Sequence, residues 1–551
     1  MWFKKIFAAL TKKERITFVL ALAGTIVSFA VVMGFVIAQT TKAVPAAGGE
    51  YTEGILGQPE YINPVIASSQ IDLDLVKMIY SNLQDISDSI TPSADMKTWD
   101  VRLKQGLTWQ DGQQLTSDDV IFTVRSIQNP DAKSPLYQSW QGVTATRVSE
   151  LEVQFTLSNP YAFFGDTLNN LYILPKHLFA NTPPGNWHLS DYNLKPIGSG
   201  PYQFVSYDKN NEGFISSYQL AAWNGTIEAH PLINTFNFDF FNDENTLVSA
   251  FNNGTIDGFG NVSPEDISQI TRPDNMFTWP TSAYYAVFFN QSINIGLQDP
   301  AVRQALSIAV DRNALINTAL GGNGSPEYGP IPQNAQYYHP QNNATSTTSA
   351  IASAENLLNN AGWTIVGSST YRSKVINKIT VPLVINLTVP QIDFLAKTAG
   401  YLQTVWQSIG VQVNVIPDSS NDIVNNLIPA RNYESLLFGN VLGPSSDLYS
   451  FWDSSQDFAP GLNLSLYNNP TVNSLIEQAR QNPISASTSQ EFAAAQADII
   501  ASYPAIFLYS PYYVYVTNKY TQGISTSLLI DPSDRFREIG NWYLDTARVL
   551  K

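Results

Sequence analysis

The chain has 551 residues, contains no cysteine and carries a formal net charge of −16 at pH 7. One hydrophobic core rarely grows beyond ~250–300 residues, so this length predicts two or three domains. The absence of cysteine excludes disulfides, thiolate zinc sites and cysteine nucleophiles. The acidic balance argues against nucleic-acid binding, because phosphate backbones repel an acidic surface.

The first fifty residues predict a membrane anchor followed by a linker. The basic segment 1–15 precedes Ile16–Ala38, an uncharged apolar run of 23 residues, and about 20 apolar residues cross the hydrocarbon layer as a helix. The positive-inside rule places residues 1–15 in the cytoplasm and the body outside. A cleaved signal peptide is the alternative, although its apolar region is usually ~7–15 residues long. The small, polar segment 39–50 is expected to be a linker that keeps the body near the membrane.

The stretch LTWQDGQQLTSDDVIFTV contains three aspartates within nine positions, which raises the question of a catalytic carboxylate pair. Asp111–Gly112 is a tight-turn signal. Thr116 followed three positions later by Asp119 predicts a helix N-cap with a capping box, and Asp118 lies beside it at the positive end of the helix dipole. Each aspartate therefore has a structural role, so we do not expect catalysis here.

Strands and helices alternate through the rest of the chain. Alternating apolar residues predict a strand at Phe236–Phe240, followed by a helix around Glu244–Asn252. A second strand is predicted at Tyr284–Asn290. The segment FLAKTAGYLQTVWQSIG predicts a helix that ends at Gly410, followed by the strand Val411–Val415. This alternation predicts lobes built on sheets with helices outside.

Seven segments of the chain, taken in order, resemble the family 5 extracellular solute-binding proteins, which are the peptide-, oligopeptide- and nickel-binding receptors of ABC importers. The resemblance covers roughly Gly54–Val516. The segments are GQPEYINPVIAS, LKQGLTWQDGQQLTSDDVIFTV, PIGSGPYQFVSYD, NNGTIDG, FFNQS with LQDPAVRQALSIAVDRNALI, SLYNNPTVNSLIEQAR and YPAIFLYSPYYVYV.

The resemblance implies an α/β fold: a two-lobed, periplasmic-binding-protein-like clamp of type II, with an extra α+β domain on lobe one, preceded by the N-terminal transmembrane helix. The expected parts are the basic cytoplasmic segment 1–15, the transmembrane anchor 16–38, the linker 39–50, lobe one in 51–74, 196–287 and 506–551, the extra domain in 75–195, and lobe two in 288–505.

The implied function is that of a membrane-anchored, extracytoplasmic substrate-binding protein of an ABC transporter. It would capture peptides or similar small polar solutes between its lobes and deliver them, as a monomer, to permease subunits in the same membrane. The chain has no G-x-x-x-x-G-K-[ST] motif, so it does not supply the ATPase. The alternatives are a ligand sensor or adhesion protein that reuses the clamp without transport and, with less support, an extracytoplasmic enzyme.

One loop of the family identifies candidate ligand-binding residues. In its dipeptide and oligopeptide binders, a loop that begins Gly-Trp carries an aspartate that pairs with the peptide ammonium. The similar loop here, Leu436–Ser455, lacks Gly-Trp and has Leu442 or Gly443 where that aspartate belongs, which argues against ordinary dipeptide recognition. Asp447 matches a later aspartate of the loop. It could replace the missing one from a shifted loop, as could Asp453, or it could cap a helix at 448–452.

The remaining candidates are less specific. Tyr449 and Trp452 lie at helical spacing, which is typical of core residues as well as of a binding surface. The others come from the resemblance alone. The full set of candidate ligand-binding residues is Asp447, Tyr449, Trp452, Asn290, Tyr285, Pro59 and Tyr61.

No catalytic residue, metal ligand or cofactor is expected. The four histidines show no paired spacing and the chain has no cysteine, so a dedicated transition-metal site is not predicted. No Gly-x-Ser-x-Gly nucleophile motif is present. Arg303 and Arg312 lie on a helical segment whose other residues are predicted to pack inward, so structural ion pairs are expected for them rather than ligand contacts.

Overall fold

The structure is a computed structural model that describes residues 11–225, 230–340, 347–525 and 528–551. Residues 1–10, most of the predicted cytoplasmic segment 1–15, lie outside the described residues. The first helix of the described residues is Lys12–Thr40, and its part Lys12–Val36 has no buried residue and is long and apolar enough to cross a membrane. A signal sequence near the N-terminus can meet the same criteria of length and apolar composition.

A two-stranded β-ribbon follows this helix directly. The strand Thr41–Ala46 pairs antiparallel with Asp545–Leu550, from Thr41 opposite Leu550 to Ala46 opposite Asp545. The segment 39–50, expected to be a linker, thus contains a strand. Its partner lies about five hundred residues away in the chain, so no local pattern could reveal the pairing.

A twelve-stranded mixed sheet forms the centre of the body. Ten of its strands follow one another as Gln412–Asp418, Val384–Pro390, Ser435–Val441, Ala283–Phe289, Ala505–Asn518, Gly258–Gly260, Glu50–Leu56, Thr235–Phe241, Ile215–Ala222 and Tyr202–Lys209, and two more, Asp274–Pro280 and Gly324–Pro326, also pair with Ala505–Asn518.

The sheet contains two half-sheets of the same topology. In the first half-sheet, Glu50–Leu56 lies between the parallel strands Thr235–Phe241 and Gly258–Gly260. In the second half-sheet, residues 384–390 lie between the parallel strands 412–418 and 435–441. In each set of three parallel strands, the strand that comes first in the chain lies in the middle. An antiparallel strand lies beside the strand that comes third in the chain. The predicted strands at 236–240 and 284–290 are confirmed within one residue, and the strand at 411–415 is confirmed within three.

The chain crosses between the half-sheets twice, and the two crossings are paired. The long strand Ala505–Asn518 pairs through Ala505–Tyr509 with Ala283–Phe289 and through Tyr512–Asn518 with Asp274–Pro280. At the crossing, the Thr281 hydroxyl donates to the Pro511 carbonyl at 2.8 Å and the Ser510 hydroxyl donates to the Thr281 carbonyl at 3.0 Å.

A separate four-stranded sheet is inserted between the first two strands of the first half-sheet. Its strands, in spatial order, are Ser87–Pro92, Thr98–Leu103, Glu152–Leu157 and Val143–Ser149. A second small sheet consists of Thr364–Ile365, Arg372–Ile376 and Ile379–Pro382.

The aspartates of the LTWQDGQQLTSDDV stretch have structural partners. The helix Ser117–Ile127 begins with a capping box, in which the Thr116 N–H donates to Asp119 Oδ2 at 2.9 Å. Asp118 lies 3.3 Å from the Arg147 guanidinium and Asp111 lies 2.7 Å from the His177 ring. The predicted cap is confirmed.

Helices connect the strands of both half-sheets. The helix Glu244–Asn253 is confirmed within one residue of its prediction, and the helix predicted to end at Gly410 is Asp393–Ser408. The other α-helices of the described residues are Gln70–Ile79, Phe164–Asn169, Lys176–Phe179, Pro264–Ile267, Ile295–Gln298, Pro300–Ala309, Arg312–Leu320, Thr347–Asn360, Ser420–Asp422, Ile428–Ala430, Tyr449–Trp452, Pro470–Gln481 and Ala486–Ser502.

Two buried arginines tie backbone segments together. Arg303 donates from Nε to the Tyr503 carbonyl at 2.9 Å and from Nη1 to the Leu297 carbonyl at 2.7 Å. Arg312 donates from Nε to the carbonyls of Glu327 and Phe507, both at 2.8 Å. Both arginines are structural, but their partners are backbone carbonyls and not the carboxylates expected from the sequence.

A third buried arginine, Arg535, holds two carboxylates of the first half-sheet. Its guanidinium donates to Asp74 at 2.9 and 2.5 Å and to Glu53 Oε1 at 3.2 Å. The Tyr515 hydroxyl donates to Glu53 Oε2 at 2.6 Å, and Tyr51 hydrogen-bonds that hydroxyl. Burial raises the pKa of Glu53 to about 7, against the opposing effect of Arg535. This cluster fastens the segment 532–536 to the first strand of the body.

Replacing Arg535 should destabilise the fold strongly. Arg535→Leu leaves two buried carboxylates without their counter-ion, which typically costs about 3–5 kcal/mol. Arg537→Leu is the matched control, because Arg537 is 57% exposed and shares Asp534 with Lys77, so its loss should cost less than about 0.5 kcal/mol. Urea unfolding of the two variants measures the difference, and equal midpoints would contradict the role given to Arg535.

The raised pKa of Glu53 predicts a specific pH dependence. A carboxyl whose pKa is higher in the folded chain than in the unfolded chain stabilises the fold below the unfolded value and loses that effect as pH rises through the folded value. Between pH ~4.5 and ~7 the wild type should therefore lose stability relative to Glu53→Gln, by at most about 1.4 kcal/mol per pH unit. Unfolding free energies of both proteins across this window test the sign.

Candidate functional site

The carboxyl ends of the parallel strands mark the expected position of a ligand site. In open α/β sheets, ligands bind in the crevice outside these ends. The strands of the first half-sheet end at Leu56, Phe241 and Gly260, and those of the second end at 390, 418 and 441. Helices begin beside several of these ends, including Glu244–Asn253, whose N-cap is Asp243.

The two carboxyl edges face each other across a crevice. Glu265 belongs to the helix that follows Gly258–Gly260, and Lys397 belongs to the helix that follows residues 384–390. Lys397 Nζ lies 2.7 Å from Glu265 Oε1 and also pairs with Asp393 on its own helix. Beside this contact, a Cβ added to Gly321 would lie 2.8 Å from Pro264. These contacts join elements that are attached to different half-sheets.

A cavity of about 360 Å³ opens at the edge of the first half-sheet. It is lined by the strand ends around Leu56 and Gly260 and by Tyr513 at the crossing. Asp74 and Arg535 form part of its wall, so the buried charge cluster also positions this side of the crevice.

A larger cavity of about 880 Å³ lies between the inserted four-stranded-sheet region and the segment 447–481. This volume falls within the ~300–1,000 Å³ typical of sites for small molecules. Its polar wall includes Tyr161 from the inserted region, Asp447 and Tyr449 from the loop after residues 435–441, and Glu477 and Arg480 from the helix Pro470–Gln481.

Asp447 is held by three partners in this wall. Its Oδ1 accepts the Tyr449 N–H at 3.0 Å, which supports the first turn of the helix Tyr449–Trp452. Its Oδ2 accepts the Tyr161 hydroxyl at 3.2 Å and lies 2.9 Å from Arg480 Nε. The Arg480 guanidinium lies 4.0 Å from the ring centroid of Tyr449 and 4.8 Å from that of Tyr161. The charge of Asp447 is therefore already balanced by a stacked arginine.

Further contacts connect the inserted region to the same loop. Ser445 donates a short hydrogen bond to Asp166, and burial raises the pKa of that carboxyl. The Ala162 N–H donates to the Arg480 carbonyl at 2.6 Å. Polar contacts between segments about three hundred residues apart thus join the inserted region to the loop and to the helix Pro470–Gln481.

The other candidate residues lie in several places. Trp452 is fully buried against Phe288 and Phe507. Asn290 is also buried, and its Nδ2 donates to the Arg431 carbonyl at 2.9 Å.

Three candidates lie nearer the crevice or the crossing. Tyr285 packs against Phe394 and Tyr509 beside the crossing. Pro59 is buried and Tyr61 is half-buried in the segment that follows Leu56. The structure thus brings Asp447 and Tyr449 together at a cavity and does not place the other five candidates beside them.

Sequence reasoning missed three residues of this region, namely Arg480, Tyr161 and Lys397. Arg480 and Lys397 are single cations on amphipathic helices, where a charge usually marks only the solvent-facing side. Tyr161 lies in the inserted region, far from the loop that it contacts. No local pattern distinguishes these side chains from ordinary surface residues.

Two topologically matching half-sheets, joined by paired crossing strands and facing each other at their carboxyl edges, define a two-lobed binding protein of type II. The sequence pattern of the "Bacterial extracellular solute-binding proteins, family 5 Middle" matches residues 62–459, which is more than half of the chain. The chain belongs to this family, whose members are binding proteins and not enzymes.

Individual relatives agree with this assignment. The chain is 25% identical over 490 residues to the oligopeptide-binding protein AppA of Bacillus subtilis, a match that covers 86% of this chain and 88% of AppA. The ABC transporter substrate-binding protein CtaP of Listeria monocytogenes has a similar structure, with a TM-score of 0.76, 26% identity and coverage of 90% and 99%.

NikA of Brucella suis, solved in complex with Fe(III)-EDTA, has the same fold with a TM-score of 0.76 at 18% identity, covering 90% of this chain and all of NikA. The predicted family and the predicted type II clamp, with its mixed α/β architecture, are confirmed.

Removing the Glu265–Lys397 contact should shift the two lobes towards an open form, because the pair exists only when the facing edges are close. Lys397→Gln and Glu265→Gln should each lower the energy transfer between dyes on Val205→Cys and Ile379→Cys, which label specifically because the chain has no other cysteine. The same loss should appear in the wild type at high salt, which screens exposed pairs.

Lys374→Gln is the matched control, because Lys374 pairs with Asp299 at 2.9 Å and both residues lie between the two crossings in the chain. It should leave energy transfer unchanged. If Lys374→Gln and Lys397→Gln gave the same change, the effect would not come from the contact across the crevice.

Proposed function

We propose that this chain is a membrane-anchored, extracytoplasmic substrate-binding protein of an ABC transporter, which captures peptides or similar small polar solutes between two lobes and delivers them to permease subunits in the same membrane. The observation that carries the proposal is the pair of facing carboxyl edges joined by two crossing strands. Family membership and the similarity to AppA and CtaP support it.

Closure of the lobes is the proposed mechanism of capture. The crossings at residues 281–282 and 510–511 are the segments about which one lobe can turn relative to the other. A solute that contacts both edges binds the closed form better and increases its population. The Glu265–Lys397 pair would contribute to closure with or without a solute, so capture depends on the additional contacts that the solute supplies.

The proposed division of the chain is the one that the resemblance implies, and its boundaries lie a few residues from these crossings. Lobe one comprises residues 51–74, 196–287 and 506–551, and lobe two comprises residues 288–505. The extra domain, 75–195, contains the four-stranded sheet and provides Tyr161 to the larger cavity. In this arrangement the cavity between the extra domain and lobe two continues the interlobe crevice.

Asp447 and Arg480 bear on the class of solute. A peptide ammonium that pairs with Asp447 would have to compete with Arg480, which already lies 2.9 Å from it. Desolvating a charge without a new partner costs several kcal/mol. We therefore propose that Asp447 orients Arg480 and Tyr161, and that solutes bind through hydrogen bonds and through contact with the tyrosine rings, without a salt bridge between their ammonium and Asp447.

Native mass spectrometry of the purified protein is the direct test of capture. A fragment for this experiment should begin at Thr41, because a start at Thr52 would cut the strand Glu50–Leu56, which pairs with Thr235–Phe241 along its length. An added mass that is lost on denaturation is expected. A protein that carries no added mass and shows no change in radius with a broad peptide library would contradict the peptide assignment.

Tyr449→Leu should weaken binding of the solute so identified by about five- to tenfold, because it removes a ring of the cavity wall and the stacking surface of Arg480. Tyr520→Leu is the matched control, since Tyr520 also contacts a cation, Lys519 at 5.1 Å, but is 65% exposed and lies outside the cavity. Titration calorimetry measures both. Equal solute affinities of the two variants would show that Tyr449 is not part of the binding site.

A further inference from the structure

The β-ribbon of Thr41–Ala46 and Asp545–Leu550 continues the first helix without a break. The helix ends at Thr40, and Thr41 pairs with Leu550. The Lys551 N–H donates to the Thr40 carbonyl at 2.9 Å, so the late strand ends beside the last turn of the helix. The end of the ribbon at Thr41 and Leu550 therefore lies in the same environment as the last turn of the helix.

If the helix is a membrane anchor, as proposed above, the length of its uncharged segment gives the depth in the bilayer at which the ribbon begins. The 26 residues between Arg15 and Lys42 carry no charge, and as a helix they extend about 39 Å. The hydrocarbon core is ~30 Å thick and the bilayer with its headgroups is ~40–45 Å thick. With Arg15 at the inner surface, Lys42 lies in the outer headgroup layer.

The chemistry of the ribbon end fits that layer. Directly opposed residues share a face of a ribbon, so Lys42 lies beside Val549 on one face, and Arg548 and Leu550 share the other. Val549 is 40% exposed and Leu550 is 79% exposed. Basic side chains with adjacent apolar ones are the composition that contacts lipid phosphates and the upper acyl region. Lys551 adds a third cation, although the whole chain is strongly acidic.

The other end of the ribbon joins lobe one directly. A Cβ added to Gly49 would lie 2.9 Å from Leu544, and one added to Gly48 would lie 2.6 Å from the Asp545 carboxylate. Both strands therefore leave the body together. Six residues at ~3.3–3.4 Å each make the ribbon about 20 Å long, so it is a short double-stranded support for the body and not a single flexible chain.

We propose that the end of this ribbon binds the lipid headgroups of the membrane that holds the anchor, with Lys42, Arg548 and Lys551 at lipid phosphates and Leu550 in the headgroup layer. Lobe one is then held about one ribbon length above the membrane, and lobe two is the part that moves during capture. The inference rests on the proposed anchor, and its occupant is the bilayer because the ribbon is continuous with the helix.

The test uses the full-length chain in vesicles of phosphatidylcholine mixed with phosphatidylglycerol. An environment-sensitive dye on Leu550→Cys should be quenched by nitroxides attached to lipid headgroups. The same dye on Val375→Cys, which is 68% exposed on the small sheet of residues 364–382, should not be quenched. The triple variant Lys42→Gln, Arg548→Gln, Lys551→Gln should reduce quenching at position 550, and so should vesicles of phosphatidylcholine alone.

A third dye position separates failure of the inference from failure of the anchor. A dye on Val27→Cys, in the middle of the first helix, should be quenched by nitroxides on the acyl chains. Quenching at 27 without quenching at 550 would retain the anchor and overturn the inference. No quenching at either position would overturn both. Quenching at 550 that requires added permease would assign the ribbon to a protein partner and also overturn the lipid proposal.

Discussion

The pairing of the strand Ala505–Asn518 with both half-sheets is the constraint on which the rest of the structure depends. Its first part completes the second half-sheet, and its last part completes the first. One continuous strand therefore fixes the register of two sheets that would otherwise be independent. Because the crossing at residues 281–282 runs beside it, the two half-sheets are joined by two short, paired segments.

Polar contacts across the lobes and domains add a second level of organisation. The buried Arg535 cluster secures the segment 532–536 to the first half-sheet, and its Asp74 and Arg535 side chains line the smaller cavity. The wall around Asp447 is built similarly, with Arg480 as the cation and tyrosines as neighbours. In both places an aspartate is paired with an arginine inside the chain, and most of the residues that line the two cavities are uncharged. This agrees with a chain in which charged residues make up only 14%.

Local secondary structure could be predicted well from the sequence, and the candidate site could be predicted only in part. The capping box at Thr116 and the helix Glu244–Asn253 depend on residues within a few positions of each other, so their patterns were sufficient. Asp447 and Tyr449 were found through a resemblance of one loop. Arg480 and Tyr161, which contact them, were not found, because contacts between distant segments leave no local pattern. The backbone partners of Arg303 and Arg312 were missed for the same reason.

The sequence by itself determined the family, the alternation of strands and helices, and the apolar length of the first helix, because each follows from residue order or from spacing along the chain. Only the tertiary structure decided that residues 41–46 form a ribbon with Asp545–Leu550, that Asp447 is paired with Arg480, and that Glu265 meets Lys397 across the crevice. These features require segments that are distant in the chain to come together, and folding alone brings them within hydrogen-bonding distance.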